Sequence, residues 1–164
     1  MYEHHLIAQS FKERYKRTLP VNRHHIIAGC SDIEIREIED RYNVKLPKSY
    51  YFFLKELGKT DSALLGNLDL EYPHPLTQTE EFIDNLLSED EEEVWIPPTN
   101  IPTKIFIFAN YYFQKVFFFI ADSSSDDPPI FSADSSQESG EAFKYRKTGE
   151  SIWEFVEDCL KTRE

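Results

Sequence analysis

The chain has 164 residues, with 30 acidic against 18 basic side chains, a formal charge of −12 and a pI near 4.9. Apolar residues make up 40% and aromatics 15%, which excludes a disordered chain and supplies the core of one ordinary domain. The longest wholly apolar run, Val116 to Ala121, is six residues, and Leu6-Ile7-Ala8 is shorter still, so neither a bilayer span nor a signal-peptide core is expected. Cys30 and Cys159 lie 129 positions apart, which gives no short-spaced zinc or redox motif and no disulfide framework. A soluble, cytoplasmic, single-domain protein spanning 1–164 is the expectation.

Charge is unevenly placed. Residues 1–30 hold five basic side chains (Lys12, Arg14, Lys16, Arg17, Arg23) and two acidic ones (Glu3, Glu13), a net of +3. Between Lys59 and Lys104 there is no Lys or Arg over 44 residues, while eleven carboxylates fall there: Asp61, Asp69, Glu71, Glu80, Glu81, Asp84, Glu89, Asp90, Glu91, Glu92 and Glu93. Such a surface repels phosphates, whose binding needs clustered Lys and Arg, so a nucleic-acid partner is not expected.

In chain order, Ile7, Phe11 and Tyr15 recur at i+4, with Tyr2 and Leu6 on a nearby face, and predict a helix over 2–17 that Pro20 ends. Ser31 with Glu34 forms a capping box that opens a second helix, with Ile35, Ile38 and Tyr42 inward and Asn43 as a left-handed stop. Leu46-Pro47 opens a third, with Pro47 in its first turn, Tyr50, Phe53, Leu54 and Leu57 inward and Gly58 as the cap. Residues 59–76 have mixed periodicity, and Tyr72-Pro73-His74-Pro75 reads as neither helix nor central strand. Thr77 with Glu80 repeats the capping pattern ahead of a short helix with Phe82, Ile83, Leu86 and Leu87 on one face. Carboxylates at 89–93 oppose the macrodipole and end that helix.

Beyond Pro97, Pro98 and Pro102, the runs Lys104–Ala109 and Lys115–Ala121 predict a hairpin. Ile130–Ala133 predicts a third strand and Ala142–Arg146 a fourth, with Lys147-Thr148-Gly149 as a turn. Ser151 and Glu154 make a third capping box for a last helix with Ile152, Phe155, Val156, Cys159 and Leu160 inward. The fold class is α+β: an antiparallel or mixed sheet of about four to six strands carrying helices, its middle strands covered on both faces.

Catalytic signatures do not emerge. None of the five glycines builds a phosphate loop, and neither a nucleophile elbow nor a zinc helix is present. The pairs His4-His5 and His24-His25 point their rings apart and lack further ligands at metal spacing, so no metal is expected. Asp122, Ser124 and Asp126 mimic a calcium-loop start, but Asp127 replaces the required glycine and Ala133 the bidentate glutamate. Cys159 falls on an apolar stripe and reads as core; Cys30 lies near a helix entrance, a place that lowers a thiol pKa, without a visible base. No enzyme activity and no cofactor are expected.

A charge run is by default a solvated face. The 44 residues without counter-charge, with Tyr72 and Trp95 interleaved, also suit a basic protein partner reached by electrostatic steering. Candidate contacts are Asp69, Glu71, Tyr72, Glu80, Glu81, Asp84, Glu89, Asp90, Glu91, Glu92, Glu93 and Trp95. The pair Tyr111-Tyr112 reads equally as an exposed second anchor or as core or turn packing. The basic amino-terminal helix has a further reading, as a segment docked on the acidic body within one chain or between two copies.

Ile35 and Ile38-Glu39, then Val44-x-Leu46-Pro47-x-x-Tyr50-x-x-x-Leu54 and Gly58, resemble the signature of the SUKH superfamily. Ile105–Ala109, Phe117–Asp122, Pro128-Pro129-Ile130 and Ser151-Ile152-Trp153 follow in matching order, so the resemblance covers 31–161 and leaves 1–30 as a basic helical extension. It departs at Asn110-Tyr111-Tyr112-Phe113-Gln114, where the family has a glycine-rich segment. The resemblance implies an α+β domain and an immunity protein that neutralises a polymorphic toxin, often a nuclease or deaminase. The alternative it implies is a regulatory interaction module of the cell-wall-synthesis-regulator type.

Overall fold

The computed structural model describes residues 2–19, 26–60, 68–88, 95–112, 114–122 and 124–161. Helices α1 (Tyr2–Thr18), α2 (Asp32–Tyr42) and α3 (Lys48–Leu57) come first. They lead into strand β1 (Leu68–Asp69), a 3-10 helix (His74–Leu76) and helix α4 (Gln78–Leu87). Strands β2 (Ile105–Tyr111), β3 (Lys115–Ile120), β4 (Ile130–Asp134) and β5 (Arg146–Gly149) follow, and α5 (Ile152–Lys161) closes the order. The five strands form one sheet in sequence order, every neighbour antiparallel. The α+β class is thus observed, with a purely antiparallel sheet.

Side chains alternate across this sheet, and both faces are covered. Phe106, Phe108, Phe119, Ala121 and Ile130 face a layer made by α1, α2, α3 and α5. Ile107, Val116, Phe118 and Ala133 face the other way, against Phe82 and Leu86 of α4 and Phe143. A strand buried on both sides needs an unbroken apolar run, which is what β2 and β3 carry.

The capping box of α2 is complete: Ser31 Oγ accepts from Glu34 N at 3.3 Å, and Ser31 N donates to Glu34 Oε2 at 2.8 Å. Asn43 ends this helix at φ 48°, ψ 48°. Pro47 sits at the N-cap of α3, one position ahead of the expected first turn. Gly58 does cap α3, but in a right-handed conformation with φ −62°. A glycine is required there for space, since a Cβ would stand 2.6 Å from Cys30 Sγ and from Leu54 O. Gly29 is tighter still, its virtual Cβ 1.5 Å from Lys55 O. The 28–30 segment lies flat against the end of α3, with Cys30 N donating to Leu54 O and Lys59 N to Ala28 O.

Helix α1 packs on α3 and α5. Ala8, Phe11 and Tyr15 are buried, whereas Leu6, on the neighbouring face, is 59% exposed. Phe11 stacks on Trp153 at 5.6 Å, Trp153 Nε1 donates to His4 Nδ1 at 2.9 Å, and ion pairs join Lys12 to Glu56 and Arg14 to Glu157. The basic helix therefore docks within the chain, on acidic side chains of α3 and α5.

Other elements differ from expectation. Thr77 precedes α4 without a side-chain cap; its N–H donates to His74 O, and Glu80 is held by Arg41 of α2. Leu87 is 51% exposed. Lys147-Thr148-Gly149 belong to β5 and not to a turn, while Ala142 forms only an isolated bridge with Thr99. Ser151 Oγ caps Glu154 N at 3.0 Å, but the Glu154 carboxylate takes the N–H of Glu150, not that of Ser151. Trp153 joins the inward stripe of α5, and Cys159 is only half-buried.

Candidate functional site

The acidic candidates follow the chain from the sheet edge onto α4. Asp69 lies in β1, opposite Asn110, and is half-buried. Its carbonyl accepts from Gln78 Nε2 at 2.8 Å, which ties the edge strand to the first turn of α4. Glu71 is half-buried just before the 3-10 helix. Tyr72 is clamped: its hydroxyl donates to Glu37 Oε2 at 2.7 Å, and Lys59 Nζ lies 5.8 Å over its ring. The Glu37 carboxylate beside it, helped by partial burial, pushes the phenol up to about 12.

On α4 the carboxylates divide by use. Glu80 is fixed in a two-point pair with Arg41, at 3.1 Å from Nε and 2.5 Å from Nη2, which braces α4 against α2. Glu81 and Asp84 are exposed and make no ion pair among the described residues. Trp95 is half-buried, its indole N–H donating 2.9 Å to Leu86 O, so the chain after α4 is clipped back under the end of that helix. Glu89, Asp90, Glu91, Glu92 and Glu93 lie outside the described residues, as does Asp61.

The tyrosine pair lies at the hairpin tip, outside the core. Tyr111 and Tyr112 are 40% and 58% exposed, their rings edge-on at 4.8 Å. Gln114 N donates to Tyr111 O at 2.9 Å, closing a turn in which Tyr112 has φ 47°. Glycine takes such a conformation at less cost than tyrosine does.

The groups weighed for other chemistry are engaged elsewhere. His4 accepts from Trp153 and His5 lies 3.3 Å from Glu56, while His24 and His25 fall outside the described residues. The loop that mimics a calcium site spends its oxygens locally. Asp122 Oδ1 accepts from Ser124 N, Asp126 pairs with Lys48, and Asp127 Oδ1 accepts from Ile152 N at the start of α5. Cys30 is corrected outright: burial, aided by Glu34, pushes its thiol up to about 12, the opposite of activation at a helix entrance. Among the described residues no group of three or more His, Cys, Asp or Glu gathers as a metal site, and no helix is long and apolar enough to cross a membrane.

A cleft missed by sequence reasoning lies between α4 and the back of the sheet. Phe82, Leu86, Ile107 and Val116 wall it, and Gln78 and Glu81 contribute polar groups from the helix. Gln78 is a surface residue type by default, and nothing in the surrounding sequence signals its burial.

These features define an α+β domain with a helical layer on one sheet face, α4 on the other, and a carboxylate-rich flank around that helix. A model of the SMI1/KNR4 family (SUKH-1) matches residues 29–158, and the chain belongs to that family. The match begins at Gly29, so α1 precedes it. No curated protein matches the chain.

Proposed function

We propose that this chain is a cytoplasmic immunity-type binding protein that neutralises a basic toxin domain, a nuclease or deaminase, by occlusion. The observation that carries the reading is α4, with Glu81 and Asp84 exposed and unpaired among the described residues in a stretch that holds no Lys or Arg from 60 to 103. Carboxylates there stand in for the phosphates of the toxin's substrate. Asp69, Glu71 and the run Glu89–Glu93 extend the charge, Glu80 beside them is paired with Arg41, Tyr72 and Trp95 mark the margins, and Tyr111 and Tyr112 supply exposed rings. Family membership supports a binding role, and no step in occlusion requires a catalytic group or cofactor.

Capture of the partner from native lysate, with low-salt and then high-salt washes, tests the reading. A single basic partner released by salt is expected. The Glu81→Lys, Asp84→Lys double variant should slow association with it about ten-fold at low ionic strength and flatten its salt dependence. An unchanged association rate would sink the anionic-face mechanism. The same family match favours a second reading, a regulatory interaction module of the SMI1/KNR4 type. An adjacent toxin reading frame supports the first; capture of several unrelated signalling or envelope-synthesis proteins supports the second.

A further inference from the structure

Helix α2 turns one stripe away from the core, and a shallow open groove runs along it, lined by Ile33, Arg36, Glu37, Asp40 and Arg41. Ile33 is 78% exposed, more than any other large apolar side chain among the described residues. Most charged groups of this helix are spent within the chain. Asp32 accepts from Tyr51 and pairs with Lys55, Glu34 pairs with Lys59, and Glu37 accepts from Tyr72. Glu39 holds Lys45 and the N–H of Leu46, and Arg41 holds Glu80. Arg36 and Asp40 are left over, both exposed and without an ion pair among the described residues. They stand one turn apart on the stripe of Ile33, with opposite signs. The capping box and the Asn43 stop fix the helix, so the stripe is presented without rearrangement.

We propose that this stripe is a contact between two copies of the chain, with α2 packed antiparallel on α2 of the second copy. A two-fold contact presents the same surface twice, so each residue has to complement the one it meets. Antiparallel helices with the axis level with Glu37 satisfy that order. Arg36 of each copy then meets Asp40 of the other, with Glu37 beside it, and Ile33 closes over the Arg41 methylenes of the other. Parallel helices would set Arg36 against Arg36 and Asp40 against Asp40. A partner of one sign is opposed by part of the stripe, whereas a second copy matches both charges. The cations of the helical layer are largely paired, so two chains of charge −12 approach here with little repulsion. Glu81 and Asp84 belong to α4 on the other sheet face, so the contact does not depend on the reading of that helix. One short helix from each copy buries less than the about 1,200 Å² of a stable complex, so the dimer is weak and forms at high concentration.

Sedimentation equilibrium of the full chain, from about 10 μM to about 1 mM and with a screening length of about 8 Å, reads the contact directly. The weight-average mass is expected to rise from 19.4 kDa toward twice that value across the range. Arg36→Asp and Asp40→Arg each place like charges across the axis, and each should weaken association about ten-fold or more. Mixed in equal amounts, the two variants restore both pairs, and the mass should rise again. That recovery separates the proposed contact from a general effect of net charge or of misfolding. Ile33→Asp, an acidic residue in the first turn of a helix, should abolish the rise without lowering Tm, and it gives the same reading should either reversal fail to fold. A chain that stays at 19.4 kDa at every concentration overturns the proposal. Association unchanged by the reversals and by Ile33→Asp overturns it as well, and so does a mixture of the two reversals that stays monomeric.

Discussion

Tyr50 → Phe should make this protein more stable. The ring of Tyr50 is packed among Phe53, Phe106, Phe108 and Phe119 at centroid distances of 6.1, 5.6, 5.8 and 5.5 Å, and the residue is 1% exposed. Its hydroxyl is buried with no hydrogen-bond partner, and burial pushes its pKa well above the ordinary phenol value. A buried polar group left unmet costs about 1–3 kcal/mol relative to its hydrated state. Phenylalanine keeps the ring and removes that cost, at the loss of the few dispersion contacts one oxygen makes, about 0.1–0.2 kcal/mol each. The net gain is about 1 kcal/mol. For a chain of this size that raises the urea midpoint by about 0.5 M at unchanged slope, and Tm by about 2–4 °C. Tyr50→Ala provides the control for the ring, and should cost about 3–5 kcal/mol. Equilibrium urea unfolding followed by tryptophan fluorescence reads both. A lower midpoint for Tyr50→Phe with the slope unchanged would show that the hydroxyl is satisfied in solution, and the reasoning would be refuted.

Three further perturbations follow from the geometry. Gly29→Ala forces a methyl into the Lys55 carbonyl and should cost about 3 kcal/mol or more, read as a fall in Tm; an unchanged Tm would mean the 28–30 segment does not lie against α3. Cys30, with its thiol pushed up to about 12, should resist iodoacetamide at pH 8 in the folded protein and react only in denaturant; peptide mass mapping that finds it labelled at the rate of a free thiol contradicts the burial. Hydrogen bonds from Lys59 and Arg14 lower the folded-state pKa values of Glu34 and Glu157 respectively. A depressed carboxyl contributes stability above its unfolded pKa and loses it as pH falls through the folded value, so Tm should decline below about pH 5 and the decline should be shallower in Glu157→Gln. Superimposable Tm–pH profiles would count against that pair.

Local signals were legible where the backbone left the capping groups free to meet. Ser31, Glu34 and Asn43 behave as their spacing predicts, even though Lys59 also pairs with Glu34. Thr77 and Glu80 have the same spacing, but Thr77 N already donates to His74 O at the end of the 3-10 helix and Arg41 holds the glutamate, so the box does not form. The edge strands were hidden for a different reason. Strand β1 is two residues long, and β5 is almost wholly exposed, so neither carries the apolar alternation by which a strand is read. In the candidate site, the carboxylates were visible as composition, while the work done by Tyr72, Glu80 and Trp95 was not. Each bonds to a group placed by the fold: Glu37, Arg41 and the carbonyl of Leu86. Gln78 was invisible because its burial depends on the carbonyl of Asp69 reaching across from the sheet edge.

The pairing of charges decides where this protein's field is felt. Helices α1 and α3 and the residues just after α3 carry many cations, but most are spent internally: Lys12 on Glu56, Arg14 on Glu157, Lys48 on Asp126, Lys55 on Asp32 and Lys59 on Glu34. Each pair is worth little to stability at these exposures. Its electrostatic consequence is larger, because a paired charge presents a dipole whose potential falls off faster than that of a monopole. The layer made by α1, α2, α3 and α5 is thus largely neutralised despite its charge density. Glu81 and Asp84 on the opposite face keep their full charge, and at a screening length of about 8 Å their field reaches a partner only on close approach. If the chain binds a basic partner as proposed, the salt dependence of that association should report on the α4 flank in particular. For the same reason, reversing Glu157 should cost folding stability through Arg14 while leaving the association rate unmoved, whereas reversing Asp84 should do the opposite.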